Sequence, residues 1–252
     1  VTLPVEPADN LGPTEGYHSP QVDVAVRLNT NESPYPPPQE FVDALRAELG
    51  TVAFHRYPDR HAAALRAGLA DLHHTTPDHI FCANGSNEVL QTICLTYGGA
   101  GRGAAVFEPT YAMHAQIARV TGTSVVTGER TADFLLDLDH VAGVLATHRP
   151  AITFVCSPNN PTGRAEPRDA VERVVELAPG IAVVDEAYGQ FSPWTAADLV
   201  ADDRSVVVVR TYSKTWAMAA ARLGYAVGPP WLVAELEKRA LPYHLDAVKQ
   251  LA

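Results

Sequence analysis

Lys214 stands where a lysine is costly unless it has chemistry to do. It follows the apolar run Val206 to Val209 by five residues, is preceded by Ser213, and is followed eight positions later by Arg222. An ammonium at the end of a buried strand pays for its lost hydration, and burial tunes a lysine toward a nucleophilic amine able to form a Schiff base. A surface lysine opening a helix is the plain alternative. Arg222 lies among Ala219, Ala220, Ala221 and Leu223, an apolar setting that calls for an anion beside it. Other polar clusters also directly follow apolar runs: Asn84-Gly85-Ser86-Asn87-Glu88, Glu108-Pro109-Thr110-Tyr111, Ser157-Pro158-Asn159-Asn160-Pro161-Thr162-Gly163 and Asp185-Glu186-Ala187-Tyr188.

The segments that must carry these groups alternate in type. Strand-like runs are expected at Ile80–Ala83, Ala104–Phe107, Ser124–Thr127, Ala151–Cys156, Ile181–Asp185, Ser205–Arg210 and Tyr225–Val227. Helical patterns between them include Ser86–Tyr97, Thr110–Thr121, Arg168–Ala178 and Trp231–Ala240. Several runs are continuously apolar, as in strands covered on both faces. The expected fold is therefore α/β, a three-layer α/β/α sandwich with a mainly parallel sheet. Reactive groups in such sheets collect beyond the carboxyl ends of strands, and five strand ends here point at one crevice.

Residues 1–37 are rich in proline and read as an N-terminal arm, with a short strand possible over Val22–Leu28 and a polar turn over Asn29–Pro34. Residues 38–252 form the large domain. It opens with one helix whose face is Phe41, Val42, Leu45 and Leu49. A second runs through Leu65, Leu69 and Leu72, with Asp59 as its N-cap.

The bulk composition narrows the function. With 46% hydrophobic and 19% charged residues, the chain has the balance of a soluble globular protein. A formal charge of −10 argues against nucleic acid or an anionic membrane as partner. No apolar run is long enough to span a bilayer, and Val1–Asn10 has no secretory pattern. Cys82, Cys94 and Cys156 cannot all pair, and they read as buried, reduced thiols of a cytoplasmic protein. Gly99-Ala-Gly-Arg-Gly-Ala104 precedes a strand instead of following one, which fails the context of a dinucleotide loop. His73, His74 and His79 read as solvated, with no metal site, and no Gly-x-Ser-x-Gly elbow is present.

The ordered set Ser157-Pro-Asn-Asn-Pro-Thr-Gly163, Val184-Asp-Glu-Ala-Tyr188 and Ser213-Lys214…Arg222-Leu-Gly-Tyr225 resembles the fold-type I pyridoxal-phosphate aminotransferases. Leu28-Asn-Thr-Asn-Glu-Ser-Pro34, Arg56-Tyr-Pro-Asp59, Asn84-Gly-Ser-Asn-Glu88 and Leu241-Pro-Tyr-His-Leu245 narrow the likeness to histidinol-phosphate aminotransferases. The resemblance implies a Schiff base between Lys214 and pyridoxal phosphate, with Asp185 on the pyridine nitrogen and Asn160 and Tyr188 on the phenolic oxygen. It implies Tyr111 stacked on the ring, and a phosphate held by Gly85, Ser86, Asn87, Ser213 and Arg222. It places Tyr57 at the cofactor phosphate of a neighbouring subunit, hence a homodimer, and Tyr17 and Tyr243 at the substrate.

Two departures matter. Ala219-Ala220-Ala221 replaces the Ala-Gly-Leu common before the arginine, which adds a methyl group and removes no chemical group. The C-terminal small domain of these relatives, with its carboxylate-clamping arginine, has no counterpart here; the expectation is a fragment of a longer protein. The implied reaction moves an amino group between histidinol phosphate, or a related amine, and 2-oxoglutarate. Decarboxylation, β- or γ-substitution, and a cofactor-binding relative without activity are the alternatives.

Overall fold

The computed structural model describes residues 5, 22–26 and 28–251. One sheet contains β1 (Ile80–Ala83), β2 (Gly103–Glu108), β3 (Ser124–Glu129), β4 (Ile152–Cys156), β5 (Ile181–Asp185), β6 (Val206–Thr211) and β7 (Gly224–Val227). Their spatial order is β1-β7-β6-β5-β4-β2-β3. The pairs from β3 through β2, β4 and β5 to β6 are parallel, whereas β7 is antiparallel to both β6 and β1. Two reversals cancel, so β1 runs in the direction of β6. Its carboxyl end therefore emerges on the same edge as those of the five parallel strands.

Among the described residues seven α-helices cover the sheet or flank it: α1 (Gln39–Leu49), α2 (Ala63–Leu72), α3 (Ser86–Tyr97), α4 (Met113–Val120), α5 (Leu138–His148), α6 (Arg168–Leu177) and α7 (Pro230–Arg239). The period-two geometry of strands splits successive residues between two cores. Val206 and Val208 pack with Leu65, Leu69, Val141, Leu145, Val171 and Val174 of α2, α5 and α6. Val207 and Val209 pack with Leu90, Ile93, Ile117, Leu232 and Leu236 of α3, α4 and α7. This is the expected three-layer sandwich. Strands β1, β4, β5, β6 and β7 are buried at every position, which is why they read as unbroken apolar runs, while β3 at the sheet edge is largely exposed.

Several local expectations are corrected. The described part of 22–28 forms no strand, and Val22, Val24, Val26 and Leu28 are exposed. Alternating valines alone do not make a strand when no sheet edge pairs with them. Helix α1 forms, but none of its residues is fully buried. Asp59 is not the residue adjoining α2; Ala62 is, in the left-handed region at φ 46°. Asp59 still supplies the capping oxygens, accepting from Ala63 N at 2.7 Å and His61 N at 3.0 Å. Helix α5 lies between β3 and β4, where the sequence reading named no helix; Asp137 caps it by accepting from Asp139 N and His140 N. Among the described residues no helix is long and apolar enough to cross a membrane.

Candidate active site

Beyond the carboxyl edge of the sheet lies a cavity of about 640 Å³. Its walls come from the segments after five strands: Ser86 and Asn87 after β1, Tyr111 after β2, Asn160 after β4, Tyr188 after β5, and Ser213 and Lys214 after β6. Asp185 at the end of β5, the Asn29–Glu32 turn and Arg222 complete it.

Lys214 is half-buried, and its Nζ donates to Thr30 O at 2.7 Å and stands 5.9 Å from the centroid of the Tyr188 ring. Burial holds its pKa below the ordinary 10.5; the Glu32 carboxylate opposes that shift and Arg222 reinforces it. More of the amine is then neutral, the form that attacks a carbonyl. The same turn contributes a second bond: Asn31, at φ 52°, donates from Nδ2 to the Tyr188 hydroxyl at 2.9 Å.

Asp185 and Glu186 are adjacent carboxylates with opposite destinations, because neighbouring strand residues face opposite sides. Glu186 turns into the rear core, where Arg210 Nη2 donates to it at 2.5 Å and Ala196 N at 2.5 Å. Asp185 turns to the cavity. One of its oxygens accepts from Ala187 N at 3.0 Å, the turn-capping role open to any such aspartate. The other accepts from His114 Nε2 at 2.8 Å. His114 is fully buried, stacks on Phe154 at 4.8 Å and meets the edge of Tyr111 at 5.3 Å. Its Nδ1 has no hydrogen-bond partner among the described residues, and a carboxylate oxygen only accepts, so the proton belongs on Nε2, aimed at Asp185. His114 was missed in sequence; the available signal was its position one turn after Tyr111 on the inward face of α4.

The residues expected at an anion, Gly85, Ser86, Asn87, Ser213 and Arg222, lie together at one end of the cavity. Gly85, without a side chain to cap α3, precedes it at φ +86°, and the first N–H groups of the helix, which have no intrahelical acceptors, face this turn. A Cβ on Gly85 would lie 2.5 Å from Arg222 Nη2, so the guanidinium is laid against this turn. Arg222 Nη1 donates to Ser213 Oγ at 3.1 Å and to Ala219 O at 3.2 Å. The apolar setting expected for Arg222 is corrected: it is exposed, at φ 53°, and not enclosed by the alanines. Tyr111 donates to Asn87 Oδ1 at 3.2 Å, joining the stacking candidate to the anion end.

Asn160 lines the cavity, but its neighbour Asn159 fastens the loop. Buried Asn159 donates to Pro109 O at 3.0 Å and Thr162 Oγ1 at 2.9 Å, and accepts from Thr110 Oγ1 at 2.9 Å. It thereby ties the Asn160 loop to the loop of Tyr111. Cys156 also lines the cavity, as a thiol that burial pushes up to about 12. All three cysteines are free and buried.

The remaining candidates lie elsewhere. Tyr17 falls outside the described residues. Tyr57, 80% exposed, and Tyr243 stack on each other at 4.5 Å with rings 18° apart, and neither lines the Lys214 cavity. The 241–245 motif docks beside β1, where Asn84 Nδ2 donates to His244 O at 2.9 Å and His244 Nε2 to Cys82 O at 2.8 Å. His73 is not solvated as expected. It is half-buried with Nε2 2.8 Å from the Tyr225 hydroxyl, and burial, reinforced by the charges of Arg210 and His74, pushes it down to about 4.

Comparison with known proteins gives concordant matches. The model of the aminotransferase class I and II family matches residues 23–252. A histidinol-phosphate aminotransferase of Thermobifida fusca is 46% identical over 250 residues, covering 96% of this chain and 68% of that protein. The crystal structure of a histidinol-phosphate aminotransferase, so assigned provisionally, from Erwinia carotovora atroseptica superposes with a TM-score of 0.82 at 25% identity, covering 94% of this chain and 70% of that one. The histidinol-phosphate aminotransferase of Sinorhizobium meliloti, solved with pyridoxal-5'-phosphate, gives 0.79 at 24% identity, covering 88% and 61%. The chain thus spans about two thirds of the length of these relatives.

Proposed function

The chain belongs to the class I and II aminotransferase family, and from that premise we propose that it exchanges an amino group between histidinol phosphate, or a closely related amine, and 2-oxoglutarate, as part of histidine biosynthesis. The family's cofactor is pyridoxal phosphate, and the donor set suits it. An anion cradle at Gly85–Asn87, Ser213 and Arg222, a half-buried amine at Lys214 and a shielded carboxylate at Asp185 line or border one cavity. That convergence is the observation that carries the reading.

When bound, pyridoxal phosphate supplies a reactive aldehyde and an electron-accepting ring. Lys214 is the amine placed to anchor it and, once released, to take and return the proton at the Cα of the amino donor. Asp185, oriented by Ala187 N and His114 Nε2, offers an oxygen to the pyridine nitrogen. Asn160 and Tyr188 serve the phenolic oxygen, Tyr111 one face of the ring, and the Gly85–Asn87 turn with Ser213 and Arg222 the phosphate. The chain, with its large domain at residues 38–252, works as a cytoplasmic homodimer in which exposed Tyr57 reaches the neighbouring phosphate; Tyr243, stacked on Tyr57 outside this chain's own cavity, and Tyr17 are assigned to the substrate by the resemblance alone. The amino donor follows the name borne by the T. fusca relative at 46% identity.

The test is spectroscopic. Protein loaded with pyridoxal phosphate should lose its visible band on adding histidinol phosphate and regain it on adding 2-oxoglutarate. Borohydride should fix the cofactor to wild type and not to Lys214→Ala. A visible spectrum unchanged by histidinol phosphate, glutamate and aromatic amino acids would refute the transaminase reading; covalent cofactor in Lys214→Ala would refute the role of Lys214.

A further inference from the structure

Three of the loops that face the cavity share one support behind it. Arg130, just after β3, and Glu166, just before α6, form an ion pair whose side chains are almost wholly shielded from water. The Arg130 guanidinium donates from Nε to Phe107 O at 3.1 Å, and from Nη1 to Phe134 O at 3.0 Å and to Glu166 Oε1; Nη2 reaches Cys156 O at 3.5 Å. Glu166 Oε2 accepts from Leu136 N at 3.1 Å, its backbone N–H donates to Ser157 Oγ at 2.9 Å, and its carbonyl accepts from Trp194 Nε1 at 3.1 Å.

Of the groups tied here, Phe107, Cys156, Ser157 and Trp194 belong to segments that reach the cavity, while Phe134 and Leu136 lie between β3 and α5. Phe107 leads through Glu108-Pro109-Thr110 to Tyr111. Cys156 and Ser157 begin the loop of Asn160. Trp194 closes the segment that leaves β5 through Tyr188. A shielded ion pair is a poor source of stability, because apolar residues of the same volume often serve as well or better. What it offers instead is direction: a planar guanidinium fixes several acceptors in one plane, which packed methyl groups cannot do.

We propose that Arg130 and Glu166 are positioning residues that set the spacing of Tyr111 and Asn160 from behind. The inference rests on the reading of the cavity as a pyridoxal-phosphate site, and not on the identity of the amino donor.

The experiment compares Arg130→Met, Glu166→Gln and the double variant Arg130→Met/Glu166→Leu with wild type. Three quantities are read: the thermal midpoint, the pyridoxal-phosphate dissociation constant from tryptophan fluorescence, and the pH midpoint of the visible absorbance. Each single variant should melt lower, since it strands a buried polar partner. The double variant should recover most of that loss, yet keep a dissociation constant raised by about ten-fold or more and a displaced pH midpoint. A double variant equal to wild type in both cofactor readouts would overturn the proposal and leave the pair a purely structural tie. Should the double variant not fold, Glu166→Asp decides: it keeps the charge and withdraws the carboxylate by one methylene. A displaced pH midpoint then supports positioning, and an unchanged one overturns it. Wild type that binds the cofactor and ignores histidinol phosphate would fail the substrate assignment while leaving this comparison intact.

Discussion

His114 and Asp185 face each other across 2.8 Å in the floor of the cavity, both shielded from solvent and 71 positions apart in the chain. The imidazole is held by Phe154 on one side and Tyr111 at its edge, so the hydrogen bond has little freedom to move. His114→Phe keeps the stacking and removes the N–H. A buried carboxylate that loses a charge-assisted partner forfeits roughly 1.5–3 kcal/mol. The variant should melt several degrees lower, and half-reaction rates with an amino donor should fall by about ten-fold or more. Stopped-flow absorbance and thermal melts check both; a rate equal to wild type would show that Asp185 keeps its orientation without His114.

The anion cradle leaves no room for a methyl group. A Cβ at Gly224 of β7 would lie 2.2 Å from Ser86 N and 2.4 Å from Gly85 C, both backbone atoms that cannot swing aside. At Gly85 the clash is with the flexible Arg222 side chain, but φ +86° adds strain of about 1–3 kcal/mol for any other residue. Gly224→Ala should therefore weaken cofactor binding more than Gly85→Ala does, as read by fluorescence titration with pyridoxal phosphate. The reverse order would mean that the turn, and not the strand beneath it, sets the cradle.

Adjacent asparagines should separate stability from chemistry. Asn159→Ala strands Thr110 Oγ1 and Pro109 O, groups paired with Asn159 at 2.9 and 3.0 Å, and should cost roughly 1–3 kcal/mol in chemical denaturation. Asn160→Ala should leave the denaturation midpoint near wild type and displace the pH midpoint of the visible absorbance. Equal effects of the two on stability would count against the division of labour.

The half-buried imidazole of His73 makes stability depend on pH. Its folded pKa of about 4 lies below the unfolded 6.5, so between these values the unfolded chain takes up a proton that the folded protein refuses. Stability is fully present above pH 6.5, declines as the pH falls, and its loss is complete below about 4. His73→Leu lacks this titration. The difference in denaturation midpoint between wild type and His73→Leu should shift against wild type on going from neutral pH to the acid side of this window. A difference independent of pH would rule out His73 as the source.

Much of the architecture was legible from local pattern. Unbroken runs such as Val206–Val209 and Ile181–Val184 announce buried strands because a strand covered on both faces has no reason to alternate. Since parallel strands share a direction, the polar residues just after such runs converge without further information. That is why Lys214, Asp185, Asn160 and Tyr111 group together on the pattern of the chain alone.

What the sequence could not specify is which surfaces meet. Antiparallel β7 beside β1 sends Gly85–Asn87 to the common edge, and no local pattern encodes that pairing. The valines at 22, 24 and 26 carry a strand's alternation and form none, since a strand exists only against a partner. Asp185 and Glu186 are chemically alike, and only the sheet decides that one faces the cavity and the other Arg210. His114, Asn159 and the Arg130–Glu166 pair are ordinary polar residues in the chain. They acquire roles only when tertiary packing removes water from them, so that each must find its hydrogen-bond partners among distant residues.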